Sequence, residues 1–513
     1  MKKAFRAGRA RRVGTWVVVA GMATGMAMAQ EPPAAAKSVS DSLSELQAQV
    51  RELSALLRDV RDEAARSREE IRELRRDLAA TRAQVAANER AGATAAPPSA
   101  QAAPPASGDA RLARLEEDHQ LLAAKVEEQH QTKVESASKY RVRLSGIMLL
   151  NVFGNRGSVD NQDLPTLALP RGPLDTGGDF GATVRQTQIG LEVFGPKLGG
   201  ARSSAEVQFD FFGGFPQTPD GVTAGLVRMR TAVTRLEWDR TAIVAGQDAP
   251  FISPLSPTSL ASLALPAFSY AGNLWTWTPQ VRVERRMALT ENSSFLLQAG
   301  ILDALSGEPP YRSYYRSPQA GEKSRQPAYA TRLSWSRGPS DRSLTLGIGA
   351  YYARQNWGLN RTVDAWAGTA DWNLPLGRWF ALSGEFYRGR ALGGLGGGTG
   401  RSVAASGPIP DPATLIAGLD TVGGWGQLKF APTEKLELNA AFGQDNPMGE
   451  DLLYYGYAYG GTVGRNRAAS ANFIYRPRSN LLFSVEYRRL RTFDLLGPDA
   501  TADHVNVGMG VLF

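Results

Sequence analysis

Arg228 and Arg230 stand two residues apart in "RMRTAVTRLE", and Arg282 and Arg286 flank Glu284 in "QVRVERR". On an extended strand, residues i and i+2 point to the same face. Each stretch therefore presents guanidinium groups, with acids interleaved, to one side of a sheet. Arg141 and Arg143 in "YRVRLSG" and Arg332 in "TRLSW" repeat the arrangement, and Glu206 and Asp210 in "AEVQFDFF" oppose it. A guanidinium holds a carboxylate or phosphate through two parallel hydrogen bonds. The chemistry that fits is selection of small anions. Lys429 and Arg488 share that face with Glu385, Glu437 and Glu486. The spacing alone leaves two readings open: a selective cluster, or ordinary solvated charges paired across strands.

Bond-breaking chemistry finds little support. The chain has no Cys, which excludes thiol catalysis, disulfides and Cys-ligated metals. Its three His are His119, His130 and His504, and no Ser partner for His504 falls in the wall by alternation. "GGLGGGTGRS" (393–402) mimics a phosphate-binding loop, but Leu395 takes the first Gly position, Arg401 takes the Lys, and no helical period follows. A flexible loop is expected there. No enzyme activity, cofactor or metal site is expected. Lys2, Lys3, Arg6, Arg9, Arg11 and Arg12 account for all but +2 of the formal charge of +8, so nucleic acid is not an expected partner.

The elements that position the arginines are strands. From Tyr140 onward, apolar and polar residues alternate in runs of about ten, as in "RQTQIGLEVF", "PQVRVER" and "FSVEYRR". Sixteen such runs span 139–513. The connections alternate between short turns such as "TENS" and "LPLG" and longer segments such as 155–181, 249–275 and 391–421. An even number of such strands describes a transmembrane barrel, because in lipid every backbone N–H and C=O needs a partner and only closure supplies one. Trp238, Trp335, Trp379, Phe430, Tyr475 and Phe513 fall at the short-turn rim as an interfacial girdle. Arg285 and Arg489 fall on the apolar face, where snorkelling at a rim is the simplest account.

Residues 1–29 form a basic stretch, a short apolar stretch and "AMA", the pattern of a secretory signal. Residues 30–92 carry heptads: Leu43, Val50, Leu57, Ala64, Ile71, Leu78 and Val85 on one seam, and Leu46, Leu53, Val60, Ser67, Leu74 and Thr81 on the other. That predicts a coiled coil shared between chains. An Ala/Pro-rich linker (93–108) and a second short helical segment (109–138) follow, with His119 on its seam as a tolerated polar residue. The fold class expected is an all-β barrel of about 16 antiparallel strands preceded by an α-helical coiled coil.

The stretches at 185–214, 226–255 and 277–286, taken with this order of segments, resemble the DcaP-like porins of Gram-negative outer membranes and, more loosely, the phosphate-selective porins. "HVNVGMGVLF" (504–513) also resembles the C-terminal insertion signal of outer-membrane proteins. The resemblance implies an outer-membrane homotrimer with a periplasmic coiled coil, an inward-folded third loop, and passive diffusion of small hydrophilic solutes with a modest preference for dicarboxylate- or phosphate-like anions. That loop carries no basic residue, so selectivity falls to the strand arginines. A second reading makes the chain a structural tether, its stalk spanning the periplasm toward peptidoglycan and its barrel an anchor.

Overall fold

The computed structural model describes residues 133–134, 141–215, 225–308, 316–339, 342–448, 452 and 462–513. The signal, coiled coil and linker lie outside them, with most of the second helical segment. Lys133 and Val134, expected within that segment, are instead extended and pair with Arg143 and Val142.

Sixteen antiparallel strands close on themselves. They are β1 (Arg141–Arg156), β2 (Gly178–Thr183 and Gln188–Leu198), β3 (Ala201–Asp210), β4 (Arg228–Glu237), β5 (Thr241–Asp248), β6 (Thr278–Thr290), β7 (Ser293–Leu302) and β8 (Ala328–Arg337). There follow β9 (Leu344–Asn356), β10 (Thr362–Leu376), β11 (Phe380–Arg390), β12 (Asp420–Thr433), β13 (Leu436–Pro447), β14 (Val463–Arg478), β15 (Leu481–Asp494) and β16 (Ala500–Leu512). Each pairs with its neighbours, and β16 returns to β1 through ten residue pairs from Ile147↔Leu512 to Arg156↔Asp503. No sheet edge is left open, which is the condition for an unsolvated outer wall.

Alternation sets the two faces. Val281, Val283, Leu297, Ile301, Leu333, Ile348, Phe442 and Val485 are exposed on the outside. The residues between them turn inward and are buried, among them Arg282, Glu284, Gln298, Arg332, Glu385 and Glu486. Aromatics mark the short-turn rim: Trp379, Tyr475 and Phe513 are exposed, Trp238 and Trp335 donate their indole N–H groups to Gly199 O (3.0 Å) and Ser293 Oγ (2.8 Å), and Phe380 stacks on Phe430. Arg285 sits near that rim and donates to Thr241 Oγ1 at 2.6 Å.

Three loops from the opposite end turn inward. Residues 249–277 run around the wall, residues 391–405 pack over β8–β11, and residues 158–169 reach β15 and β14. The inner faces of β8–β10 are built for this. Ala328, Ala330, Ala353, Ala365 and Ala367 leave room for Leu392, Leu395 and Val403 to bury against them. The stretch 393–402 is therefore a packed element and not the flexible loop expected from its glycines. Gly394 shows why glycine is needed: a Cβ there would stand 1.9 Å from the carbonyl oxygen of Leu305. Arg401, the residue in the apparent lysine position, is buried, with its guanidinium donating to Gly398 O and Thr399 Oγ1. Burial pushes it down to about 10.

Candidate functional site

The inner wall of β3–β8 gathers most of the arginines singled out by their spacing. Asp210, at the end of β3, is fully buried and accepts two bonds from Arg228, at 3.1 and 2.6 Å. Arg230 lies 3.5 Å from the same carboxylate. Two cations thus share one anion. The guanidiniums of Arg228 and Arg230 also lie 5.2 and 5.0 Å from the Trp277 ring centre, within cation–π range. On β6, Arg282 donates to Glu284 at 2.8 Å, to Asp248 at 2.8 Å and to Gln280 at 3.0 Å. Arg332 makes two bonds to Asp371, at 2.9 and 2.7 Å.

Alternation placed Arg228 and Arg230 on one face, and both reach Asp210. The reason is less simple than alternation. Gln208 pairs with Thr231 while Phe209 pairs with Met229, so Arg230 is the extra residue of a β-bulge. Beyond the bulge the parity of β4 reverses. Arg235, which unbroken alternation sends to the lipid side, turns inward and donates to Glu284 at 3.0 Å. Its side chain is 36% exposed and that of Arg228 26%, against 8% for Arg282, so Arg235 and Arg228 are the cations a solute in the lumen could touch. Nothing in the sequence around Arg230 announces the bulge.

The remaining candidates sit apart from this group. Arg143 pairs with Glu192 at 3.2 Å near the short-turn end, where Arg141, Arg286 and Glu206 are also exposed. Lys429 and Arg476 hold Glu437 at 3.1 and 3.4 Å. Glu385, Glu486 and Arg488, grouped by alternation with the lumen charges, are anchors for the 249–277 loop. Glu385 accepts from Leu255 N at 2.6 Å and from Ser253 Oγ. Glu486 accepts from Ser259 Oγ at 2.5 Å, and Arg488 donates to Ser262 Oγ at 2.6 Å.

The loop is wired all the way round. Thr369 of β10 donates to Ile252 O, Gln427 of β12 accepts from Thr258 N, Asn472 of β14 donates to Thr258 O, and Asn151 of β1 donates to Leu260 O. Gln186, in the break within β2, accepts from Leu263 N and Ala264 N and donates to Ala261 O. Arg228 closes the circuit by donating to Ala264 O at 2.7 Å. An apolar loop with no charge of its own is thus held by the polar side chains of the wall. Each bond protects a buried peptide group that would otherwise cost about 1–3 kcal/mol.

His504 faces inward, is buried, and its Nδ1 lies 2.7 Å from Asn155 Oδ1. Among the described residues no group of three or more His, Asp or Glu side chains is arranged to hold a metal ion.

This architecture matches solved structures. The outer membrane channel DcaP of Acinetobacter baumannii superposes with a TM-score of 0.55 at 15% identity, covering 74% of this chain and 99% of that one. The two share one fold. The resemblance to DcaP-like porins seen in the sequence extends, in the structure, over the whole length of that channel. An anion-selective porin from Comamonas acidovorans aligns at a TM-score of 0.44 and 11% identity over 73% of this chain and all of its own. OmpT of Vibrio cholerae aligns at 0.41 and 9% identity over 74% of this chain and 99% of its own. No family model matches the sequence, and no curated protein matches it.

Proposed function

We propose that the chain is an outer-membrane porin that passes small hydrophilic solutes by diffusion, with a modest preference for anions such as dicarboxylates and phosphates. The observation that carries this is the sharing of Asp210 by Arg228 and Arg230, which leaves one positive charge on an inward-facing wall. The other pairs nearby are balanced: Arg282 and Arg235 against Glu284 and Asp248, Arg332 against Asp371. The field that a passing ion meets is therefore local and weak in sum, which favours preference over strict selection. Arg228 and Arg235 supply the guanidinium edges, and the rings of Phe212 and Trp277 hold the Arg228 guanidinium in place through their faces.

A closed barrel of sixteen strands with an apolar outside and a charged inside fits a membrane-spanning passage. We assign no catalytic role, and we expect three chains to associate through the heptads of 43–85. Planar-bilayer recording of the purified full-length protein tests the proposal. Stepwise conductance with a reversal potential displaced toward anions in a KCl gradient is expected. Absence of conductance would leave the barrel as the anchor of a tether.

A further inference from the structure

The outer wall carries a second arginine cluster, on the face opposite the lumen. At the long-loop end of β14, β15 and β16, register places outward-facing residues in rows. Ala471, Tyr487 and Val505 form one row, apolar apart from the tyrosine hydroxyl. The next row toward the long loops is Ala469, Arg489, Asp503 and, on β1, Arg156. Above it stand Arg467, Arg491 and Thr501, and above them Arg465 and Phe493. One step beyond the apolar row the wall gains Arg489 on β15 and Arg156 on β1 around Asp503 of β16, and on β14 the arginines begin a step later at Arg467.

Within this patch the charges are poorly balanced. Arg467 and Arg491 are direct cross-strand partners. Like charges so placed repel unless a counter-charge joins them. Arg491 has Asp499 at 3.3 Å and Arg489 has Asp503 at 3.9 Å, both weak exposed contacts. Among the described residues neither Arg465 nor Arg467 has an acid partner, and the buried Nε of Arg465 has no hydrogen bond. Arg465, Arg491 and Arg467 instead gather around one ring, 4.0, 4.5 and 5.2 Å from the centre of Phe493. The ring holds three guanidiniums together; among the described residues Arg491 has one exposed acid, Asp499, Arg467 donates to the neutral amide of Gln444, and Arg465 has no acid. Elsewhere on the outer wall at this end the pattern differs: Arg354 on β9 is paired to Asp364 on β10 at 2.9 Å.

We propose that this patch binds the phosphorylated headgroup of a lipid in the leaflet facing the long loops. The position selects a lipid over a soluble anion. These guanidiniums lie one and two rows beyond Arg489 and Asp503, on the same outward face as the apolar rows that meet acyl chains, so one molecule can seat its chains against Val485, Tyr487 and Val505 and its phosphates on Arg465, Arg467 and Arg491. Fork geometry lets adjacent arginines each take two phosphate oxygens.

The test measures binding of purified lipid A, a diphosphorylated glycolipid, to the full-length protein in non-ionic detergent by native mass spectrometry. The wild type should retain it, and the variant carrying R465Q, R467Q and R491Q should bind it roughly tenfold or more weakly. The dephosphorylated lipid should bind the wild type as weakly as the variant binds lipid A, and R354Q should change nothing. Salt should weaken wild-type binding, a readout that stands even if the triple variant fails to fold. Equal binding by wild type and variant, or salt-independent binding, overturns the proposal. Full competition by inorganic phosphate at equal phosphorus makes this a soluble-anion site and also overturns it. Loss of oligomer with lipid binding retained reassigns the face to a subunit contact.

Discussion

Arg230 lies 3.5 Å from Asp210, the carboxylate that Arg228 already holds with two bonds. A β-bulge makes this possible by giving β4 one more residue than β3 at that level. The bulge does two things at once. It brings a second arginine to one acid, and it reverses the parity of the rest of β4 so that Arg235 joins Glu284. The local excess of positive charge is thus a product of register.

Arg235 supplies the first prediction. It is the most exposed guanidinium of the inward group, and its partner Glu284 keeps Arg282 when Arg235 is removed. R235Q should move the reversal potential modestly toward cations without loss of folding. A variant indistinguishable from wild type would place Arg235 off the ion path.

Glu385 tests the loop anchors. It holds Ser253 and Leu255, and E385A leaves that part of the loop without either bond. Loosening of residues 253–255, between the bonds that still hold Ile252 and Thr258, should raise single-channel conductance and cost about 1–3 kcal/mol of stability. Unchanged conductance would mean that this stretch does not border the passage.

Gly394 tests the packing of the second inward loop. G394A forces a methyl against the Leu305 carbonyl, a backbone atom that cannot turn aside. Overpacking of this kind costs about 1–3 kcal/mol. The expected result is a lower unfolding temperature by heat-shift electrophoresis, with proteolysis gained in 391–405. A variant as stable and as protease-resistant as wild type would count against close packing of residues 391–405 on the backbone at Leu305.

Residues 38–92 lie outside the described residues, and their heptads make an independent prediction. A synthetic peptide of that range should sediment as a helical trimer. A monomer at high concentration would remove the shared stalk, and a stable dimer would remove the trimer alone.

The sixteen strands were legible because lipid imposes a strict rule: strands must alternate and close. Observed strands such as Thr241–Asp248 and Phe380–Arg390 end where the sequence sets the longer segments 249–275 and 391–421 to begin. What alternation could not carry was any break in it. The interruption between Thr183 and Gln188 reverses the parity of Gly178–Thr183, so that Asp179 turns inward to Asn155 and Phe180 outward, and the bulge at Arg230 turns Arg235 inward; each is one residue of slippage with no composition signal. Loop packing was equally hidden. Glycines at 393–400 suggest freedom in a sequence, whereas here they permit backbone-to-backbone contact. The acids Glu385 and Glu486 had the right face, but only the fold shows that a loop lies on them.

The proposed anion preference rests on one unbalanced charge set by Arg228, Arg230 and Asp210. It is tested by reversal potentials in a KCl gradient for two variants that both leave the Arg228 bond to Ala264 O in place. Neutralising Asp210 in D210N leaves two arginines without their acid and should shift the potential further toward anions. R230Q leaves a balanced pair and should shift it toward cations. Opposite shifts of the two variants are the predicted result; shifts of the same sign, or none in either, would contradict the account.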